Sequence, residues 1–142
     1  MAARHVIVGG GTAGHNAITT IRQEEGARSE IVLVSAERPY SRMVLPYYLG
    51  RTIAESHVFT ATPAKLGRLG VTTHIGRRAT GLDAKAGKLT LDDGTVLEYD
   101  DLLVATGSSA VRAPVPTAGT AELNATPTIW KAIRENRTTQ AP

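Results

Sequence analysis

A glycine-rich turn between two apolar runs is the feature that most constrains the fold of this chain. Residues 5–14 read His-Val-Ile-Val-Gly-Gly-Gly-Thr-Ala-Gly, and a second apolar run, residues 31–34, is followed by Glu37. Between the two runs, apolar residues recur at helical spacing: Ala13, Ala17, Ile18 and Ile21. A buried strand, a tight turn, a helix and a second strand that ends beside an acid are typical of a βαβ unit that binds a dinucleotide.

The three glycines of the Gly-x-Gly-x-x-Gly spacing have separate physical tasks. Gly9 permits a tight turn, Gly11 lets the backbone approach a pyrophosphate, and Gly14 lets the helix pack closely on the first strand. The helix N-terminus then offers unpaired N–H groups and a partial positive charge to phosphates. Glu37 lies 23 positions after Gly14, close to the roughly 20 expected for an acid that binds a ribose hydroxyl pair. The weaker alternative is a Gly-rich turn in an unrelated α/β domain.

Composition excludes several other classes of protein. The 142 residues suffice for one domain with a core, and the absence of cysteine excludes disulfides, thiolate zinc sites, iron–sulfur ligation and a redox dithiol. The net charge of +3 comes without a basic run, so we expect no nucleic-acid partner. No stretch of 18 apolar residues and no signal-peptide pattern is present, so we expect no membrane partner and a cytoplasmic location.

The first helix and the segment after Glu37 allow further expectations. We expect Gly26 to end the helix and four polar side chains to face solvent, namely Asn16, Arg22, Gln23 and Glu24. After Glu37, Pro39 and Pro46 are expected to break regular structure. Residues 38–50 then form either an ordinary loop and short helix over the sheet edge, or a functional segment that places Arg42 over the adenine or phosphates of a nucleotide. We favour the functional interpretation.

The remainder predicts a second sheet and a return to the first. Short helices are expected near residues 54–56 and 63–69, with Pro63 in a first turn, followed by a strand at residues 71–75. Residues 78–83, 88–91 and 95–99 are separated by Ala-Lys-Ala-Gly and Asp-Asp-Gly turns, which predicts an antiparallel three-stranded β-meander inserted into a parallel sheet. Residues 101–105 are expected to form another buried strand. The small residues 106–109 form either a site of close ligand approach or a plain turn.

Together these segments resemble a known family. The quoted stretches are the Gly-rich turn, Glu-Arg-Pro-Tyr-Ser-Arg at residues 37–42, the meander ending in residues 91–100, and Asp-Leu-Leu-Val-Ala-Thr-Gly-Ser-Ser at residues 101–109. They resemble the FAD-binding part of the pyridine nucleotide–disulfide oxidoreductase superfamily over residues 4–115. The lack of cysteine agrees with its disulfide-free branch, which includes ferredoxin and rubredoxin reductases and the flavin module of nitrite reductases. The fold class expected is therefore α/β, a Rossmann-like parallel sheet of the FAD/NAD(P)-binding kind with the inserted meander.

The resemblance also implies a set of FAD contacts. Gly9, Gly11, Thr12, Ala13 and Gly14 would hold the pyrophosphate, and Glu37 would hold the adenosine ribose. Arg42 would lie near the adenine side of the cofactor, and the backbone at Ala79 would meet the adenine ring. Ala105, Thr106 and Gly107 would form the second FAD contact. Tyr47 stands where some relatives carry a lysine near the flavin, so we assign no charge partner to the isoalloxazine.

The resemblance further implies what a complete reductase of this family needs. No second Gly-x-Gly-x-x-Gly follows Gly14, and NAD(P)H binding in the family requires one. We therefore expect a partial FAD-binding domain at residues 1–115, and at residues 116–142 a linker and short helix, carrying Trp130, toward a missing NAD(P)H domain. On this hypothesis the partners are FAD and either a second chain with the NAD(P)H domain or an electron-acceptor protein. The alternatives are a non-catalytic dinucleotide-binding module or truncated relic and, least favoured, a self-contained NAD-dependent dehydrogenase.

No catalytic residue and no metal ligand set is assigned from the sequence. The four histidines show no metal-ligand spacing, and His5 and His74 stand in or beside strands, where a structural role is expected. His15 follows Gly14 in the first helical turn, so it either approaches the phosphates or has a solvent-facing or capping role. We favour the latter.

Overall fold

A computed structural model describes residues 2–108, beginning with a βαβ unit of β1 (Arg4–Val8), α1 (Thr12–Glu25) and β2 (Glu30–Ser35). A 3-10 segment, Arg42–Val44, leads into α2 (Leu45–Leu49), and a second one, Glu55–Val58, precedes α3 (Pro63–Arg68) and β3 (Val71–Ile75). The remaining strands are β4 (Ala79–Asp83), β5 (Lys88–Leu91), β6 (Val96–Glu98) and β7 (Asp101–Val104).

The four-stranded sheet is parallel throughout and has the order β3-β2-β1-β7. Helices α1 and α3 cover one face, where Ile18 of α1 and Leu66 of α3 pack against Ile7, Ile31 and Leu33. Strands β1 and β2 are buried on both faces, which explains why their sequences are uninterrupted apolar runs instead of alternating patterns.

The meander forms a separate antiparallel sheet, β4-β5-β6, and covers the other face of the parallel sheet. Leu89, Leu91 and Leu97 of the meander pack against valines of β1 and β2, whose side chains alternate with those under the helices. The described residues thus form three layers: helices, parallel sheet and meander. The predicted fold class is confirmed, and the boundaries of β3 and β5 match the predicted residues 71–75 and 88–91.

Two expectations about local structure were wrong. Pro46 does not break regular structure; it lies in the first turn of α2, where its missing N–H would have no helical partner in any case. Strand β7 was predicted to be buried, yet Leu103 is 40% exposed and Val104 is 62% exposed. Among the described strands β7 pairs only with β1, so it lies at the edge of the sheet and lacks a covering neighbour there.

Arg22 also departs from its prediction as a solvent-facing residue. Its guanidinium is partly buried and donates to the backbone carbonyls of Gly26 (2.9 Å) and Ser29 (2.8 Å) after α1. It also donates to the carbonyls of Leu69 and Gly70 at the end of α3. Helix ends leave carbonyls without intrahelical partners, and a cation there also complements the helix dipole. Arg22 therefore joins the ends of two helices.

Several predictions concern residues that the structure does not describe. The linker and the short helix with Trp130, predicted at residues 116–142, lie outside residues 2–108. Within the described part of the chain, no helix has the length and apolar character needed to cross a membrane.

Candidate nucleotide-binding site

An open cleft of about 250 Å³ lies at the carboxyl ends of β1, β2 and β7. In open parallel sheets, this edge is where the loops that follow neighbouring strands meet and where ligands bind. The cleft is lined by Gly10, Gly11, Thr12, Ala13, Ser35, Ala36, Glu37, Arg38, Pro39, Tyr40, Arg42, Ala105, Thr106 and Gly107.

The floor of the cleft depends on close backbone approach at two glycines. Gly9 has a φ of +118°, and a Cβ there would lie 2.1 Å from the carbonyl oxygen of Ala105. A Cβ on Gly14 would lie 2.0 Å from the carbonyl oxygen of Gly9 and 3.3 Å from Ile7 Cγ2. Backbone hydrogen bonds from Gly9 to Val34 and from Ala105 to Val8, each 2.8 Å, fix the three strand ends beside one another.

The N-terminus of α1 opens into this cleft. Gly11 is the N-cap, no side chain caps the helix, and its first turn contains no acid. The N–H groups at this end therefore lack intrahelical partners and carry the positive end of the helix dipole. A Cβ on Gly11 would meet no atom within 4 Å, so open space remains above the turn. Backbone donors, positive potential and open space together fit a pyrophosphate.

The loop after β2 supplies the acidic wall. The hydroxyl of Ser35 donates to the carbonyl oxygen of Glu37 at 2.7 Å, which fixes the backbone where β2 ends. The Glu37 side chain is partly buried and lines the cleft. A carboxylate can accept hydrogen bonds from both hydroxyls of a ribose.

Tyr40 and Arg42 form the next part of the wall. Tyr40 is buried, 5% exposed, in a cluster with Leu45, Tyr48 and Val58. Burial raises the pKa of the Tyr40 hydroxyl, the nearby Glu37 carboxylate raises it further, and the Arg42 guanidinium opposes both effects. Arg42 is exposed, and its Nη2 lies 4.0 Å from the position of a Cβ on Gly107, across the cleft.

Arg38 has a distinct environment. Its guanidinium carbon lies 3.7 Å from the centroid of the Phe59 ring, a cation–π contact between the loop after β2 and the segment before α3. Arg38 also lines the cleft and is exposed.

The structure brings eight of the eleven predicted cofactor-binding residues to the cleft: Gly11, Thr12, Ala13, Glu37, Arg42, Ala105, Thr106 and Gly107. Gly9 and Gly14 do not line it but permit the turn beneath it. Ala79 lies apart, in a neighbouring hollow beside β7 that also contains Thr106, Leu82 and Val104. Their roles as cofactor contacts remain predictions.

Sequence reasoning assigned no cofactor contact to six of the lining residues: Gly10, Ser35, Ala36, Arg38, Pro39 and Tyr40. Gly10 must be small, because a Cβ there would lie 2.8 Å from both Pro39 Cγ and Ser35 Oγ, contacts that arise only in the folded chain. Nothing in the one-dimensional pattern distinguishes Tyr40 from the other tyrosines, since its burial arises from α2 and the segment Glu55–Val58.

His15 is directed away from the cleft wall toward α3. The ammonium group of Lys65 donates to His15 Nε2 at 3.0 Å, and burial, followed by the charge of Lys65, lowers the pKa of His15. The favoured expectation of a solvent-facing or capping role was wrong, because His15 is part-buried and contacts α3. His5 lies between Glu25 (3.0 Å) and Asp101 (3.2 Å), in agreement with a structural role. Within residues 2–108 no three acidic, histidine or cysteine residues are grouped so that they could hold a metal ion.

The site combines a parallel sheet, a turn that depends on glycines, a helix N-terminus without a side-chain cap and an acid after the second strand. Together these features define the class of dinucleotide-binding α/β domains. More specifically, residues 3–140 match the family described as "Pyridine nucleotide-disulphide oxidoreductase", and the chain belongs to that family.

Two relatives from bacteria illustrate the match. The chain is 35% identical over 104 residues to the ferredoxin–NAD(+) reductase component of the p-cumate 2,3-dioxygenase system of Pseudomonas putida, covering 72% of this chain and 26% of that protein. It is 29% identical over 133 residues to the epsilon subunit of the NADH-dependent phenylglyoxylate dehydrogenase of Aromatoleum evansii, covering 92% of this chain and 31% of the subunit. The chain thus spans about a quarter to a third of the length of these relatives.

Solved structures agree in fold. The reductase in a covalent putidaredoxin reductase–putidaredoxin complex superimposes with a TM-score of 0.83 at 25% identity, covering 97% of this chain and 34% of that one. The ferredoxin reductase for the CYP199A2 system from Rhodopseudomonas palustris gives a TM-score of 0.73 at 26% identity, covering 80% and 28%. The predicted resemblance is therefore confirmed. At the level of the family, the predicted cofactors, FAD and NAD(P)H, are confirmed as well.

Proposed function

We propose that this chain is the FAD-binding portion of an NAD(P)H-dependent flavoprotein oxidoreductase, which passes electrons from NAD(P)H through FAD to an acceptor. Family membership and relatives named as ferredoxin–NAD(+) reductase components support this proposal. When bound, FAD supplies the electron-transfer chemistry, and the protein supplies binding and orientation.

The observation that carries the proposal is that three groups suited to one ligand meet at one cleft. The N-terminus of α1 offers backbone donors for a pyrophosphate, Glu37 offers a carboxylate for a ribose, and Arg42 offers a cation opposite Gly107. In the adenosine half of FAD, the pyrophosphate matches the backbone donors and the ribose matches the carboxylate. The negative charge of the phosphates matches the cation. Ala105, Thr106 and Gly107 complete the wall with small residues that allow the flavin-bearing half to approach.

The remaining parts of the proposal concern the complete protein. The division into a partial FAD-binding domain at residues 1–115 and a linker at residues 116–142 is proposed from the family resemblance. An acceptor protein is proposed because a structural relative is a complex of a reductase with putidaredoxin. The NAD(P)H domain would be supplied by further sequence or by a second chain.

The test is a titration of the purified chain with FAD, in which binding is monitored by flavin fluorescence and absorption. Glu37→Gln is compared with Glu24→Gln, a matched change at an exposed glutamate on α1. We expect saturable FAD binding that is about ten- to a hundredfold weaker in Glu37→Gln, since a lost charged hydrogen bond is worth roughly 1.5–3 kcal/mol. We expect no change in Glu24→Gln. Equal affinities in all three proteins, or no saturation at millimolar FAD, would contradict the proposal.

A further inference from the structure

We infer that Arg38, held over the Phe59 ring, forms the surface on which the adenine of the bound dinucleotide stacks. The inference rests on the proposed function, because it assigns the base-binding part of the same cleft. The resulting arrangement is a stack of three planar groups: the Phe59 ring, the Arg38 guanidinium and the purine.

The first argument is the geometry of Arg38 itself. At 3.7 Å from the ring centroid, the guanidinium lies at stacking distance from Phe59, so one side of it is covered. Arg38 is exposed and lines the cleft, so a ligand in the cleft can reach this residue. A guanidinium is planar, delocalised and weakly hydrated, and it stacks on aromatic rings. Phe59 thereby restricts the freedom of a long side chain before any ligand binds, which lowers the entropic cost of stacking.

The second argument is the position of Arg38 relative to Glu37. The ribose 2′-hydroxyl is carried by the carbon next to the one that bears the base. A ribose held by the Glu37 carboxylate must therefore place its base within a few bond lengths of that residue. Arg38 is the adjacent residue along the chain, and both residues line the same cleft.

The third argument is that the two arginines of the cleft are held in different places. Arg42 Nη2 lies 4.0 Å from the Cβ position on Gly107, beside the strand end that closes the cleft. Arg38 is instead held over Phe59, in the segment that leads to α3. Arg42 is thus placed for charge pairing within the cleft and Arg38 for stacking at its margin.

The test measures binding of ADP, FMN and inorganic pyrophosphate by isothermal titration calorimetry. ADP carries the adenosine half of FAD, FMN carries the flavin half without adenine, and pyrophosphate carries only the charge. The variants are Arg38→Met, which removes charge and planarity, and Arg38→Lys, which keeps the charge. The matched control is Arg68→Met, at an exposed arginine of α3.

We expect Arg38→Met and Arg38→Lys to weaken ADP binding about tenfold, in keeping with stacking of a base on a planar side chain. We expect Arg38→Lys to leave FMN and pyrophosphate binding unchanged and Arg68→Met to leave all three unchanged. Full ADP affinity in Arg38→Lys would overturn the inference, because charge without planarity would then suffice. Absence of ADP and FAD binding in the unmodified chain would instead overturn the proposed function.

Phe59→Leu tests whether the ring acts through Arg38. Leucine keeps the apolar contact with the Tyr40 cluster but removes the aromatic face. We expect Phe59→Leu alone to weaken ADP binding. Added to Arg38→Met, it should weaken ADP binding no further, because the ring acts through Arg38 and the two residues are coupled. Additive effects of the two substitutions would contradict the three-layer stack.

Discussion

At the scale of single residues, Gly11 and Gly14 stand in the same turn, yet each leaves room for something different. The space beside Gly14 is filled by the backbone of Gly9 and by Ile7, whereas the space beside Gly11 is open. The lack of a side chain at Gly14 thus serves the packing of α1 on β1. At Gly11 it leaves the cleft free for a ligand.

We predict that Gly14→Ala lowers the stability of the fold, whereas Gly11→Ala weakens FAD binding. Gly14→Ala should destabilise the fold by about 2 kcal/mol, because the backbone must move to accept the new methyl group. Gly11→Ala should leave stability nearly unchanged but weaken FAD binding, because its methyl group occupies the ligand's space. Urea denaturation and FAD titration of both variants check this, and a reversed pattern would show that these roles are misassigned.

His15 gives a pH dependence of stability. Burial and the charge of Lys65 lower its pKa in the folded state, so the folded protein binds fewer protons than the unfolded chain. The free energy of unfolding should therefore fall as the pH falls below about 6.5, the ordinary pKa of histidine. His15→Gln should reduce this slope in urea denaturation between pH 7.5 and 5.5. His57→Gln, at an exposed histidine, is the control. An equal reduction of the slope in this variant would show that His15 is not the source of the pH dependence.

At the scale of elements, the sequence predicted what local patterns encode. The apolar runs of β1 and β2, the turn glycines at Gly87 and Gly94 and the capping role of Gly26 all depend on neighbouring residues, and each was found. Exposure of β7 depends on which strands flank it, and no local pattern records that. In the site, Gly11 and Glu37 were predictable from spacing. Arg38 was not, because its partner Phe59 is 21 positions away in the sequence.

Arg22 is the clearest case of a role set by tertiary contacts, and it gives a prediction at this scale. Arg22→Met should destabilise the protein by about 2–3 kcal/mol, because carbonyls at the ends of α1 and α3 lose a charged donor. Arg68→Met, an equivalent change at an exposed position of α3, should have little effect. Thermal and urea denaturation of the two variants provide the measurement, and similar losses in both would argue against the joining role.

At the scale of the whole molecule, ligand binding should add substantially to a modest stability. Apolar side chains such as Val104 (62%) and Leu82 (54%) are strongly exposed, which limits the burial that stabilises the described fold. We predict that FAD at 100 times its dissociation constant raises the melting temperature by about 10 °C, since binding at that ratio adds about 2.7 kcal/mol. In Glu37→Gln the same FAD concentration should give a clearly smaller shift. A melting temperature insensitive to FAD would contradict the prediction.

The two walls of the cleft come from stretches far apart in the chain, residues 10–42 and residues 105–107, with the whole meander between them. During translation, the Gly-rich turn, proposed to bind the phosphates, leaves the ribosome before the opposite wall of the cleft has been made. Parallel pairing of β1 with β7 must wait for β7. The cleft can therefore be complete only after the meander has been synthesised, so we expect nucleotide binding to follow synthesis of the meander.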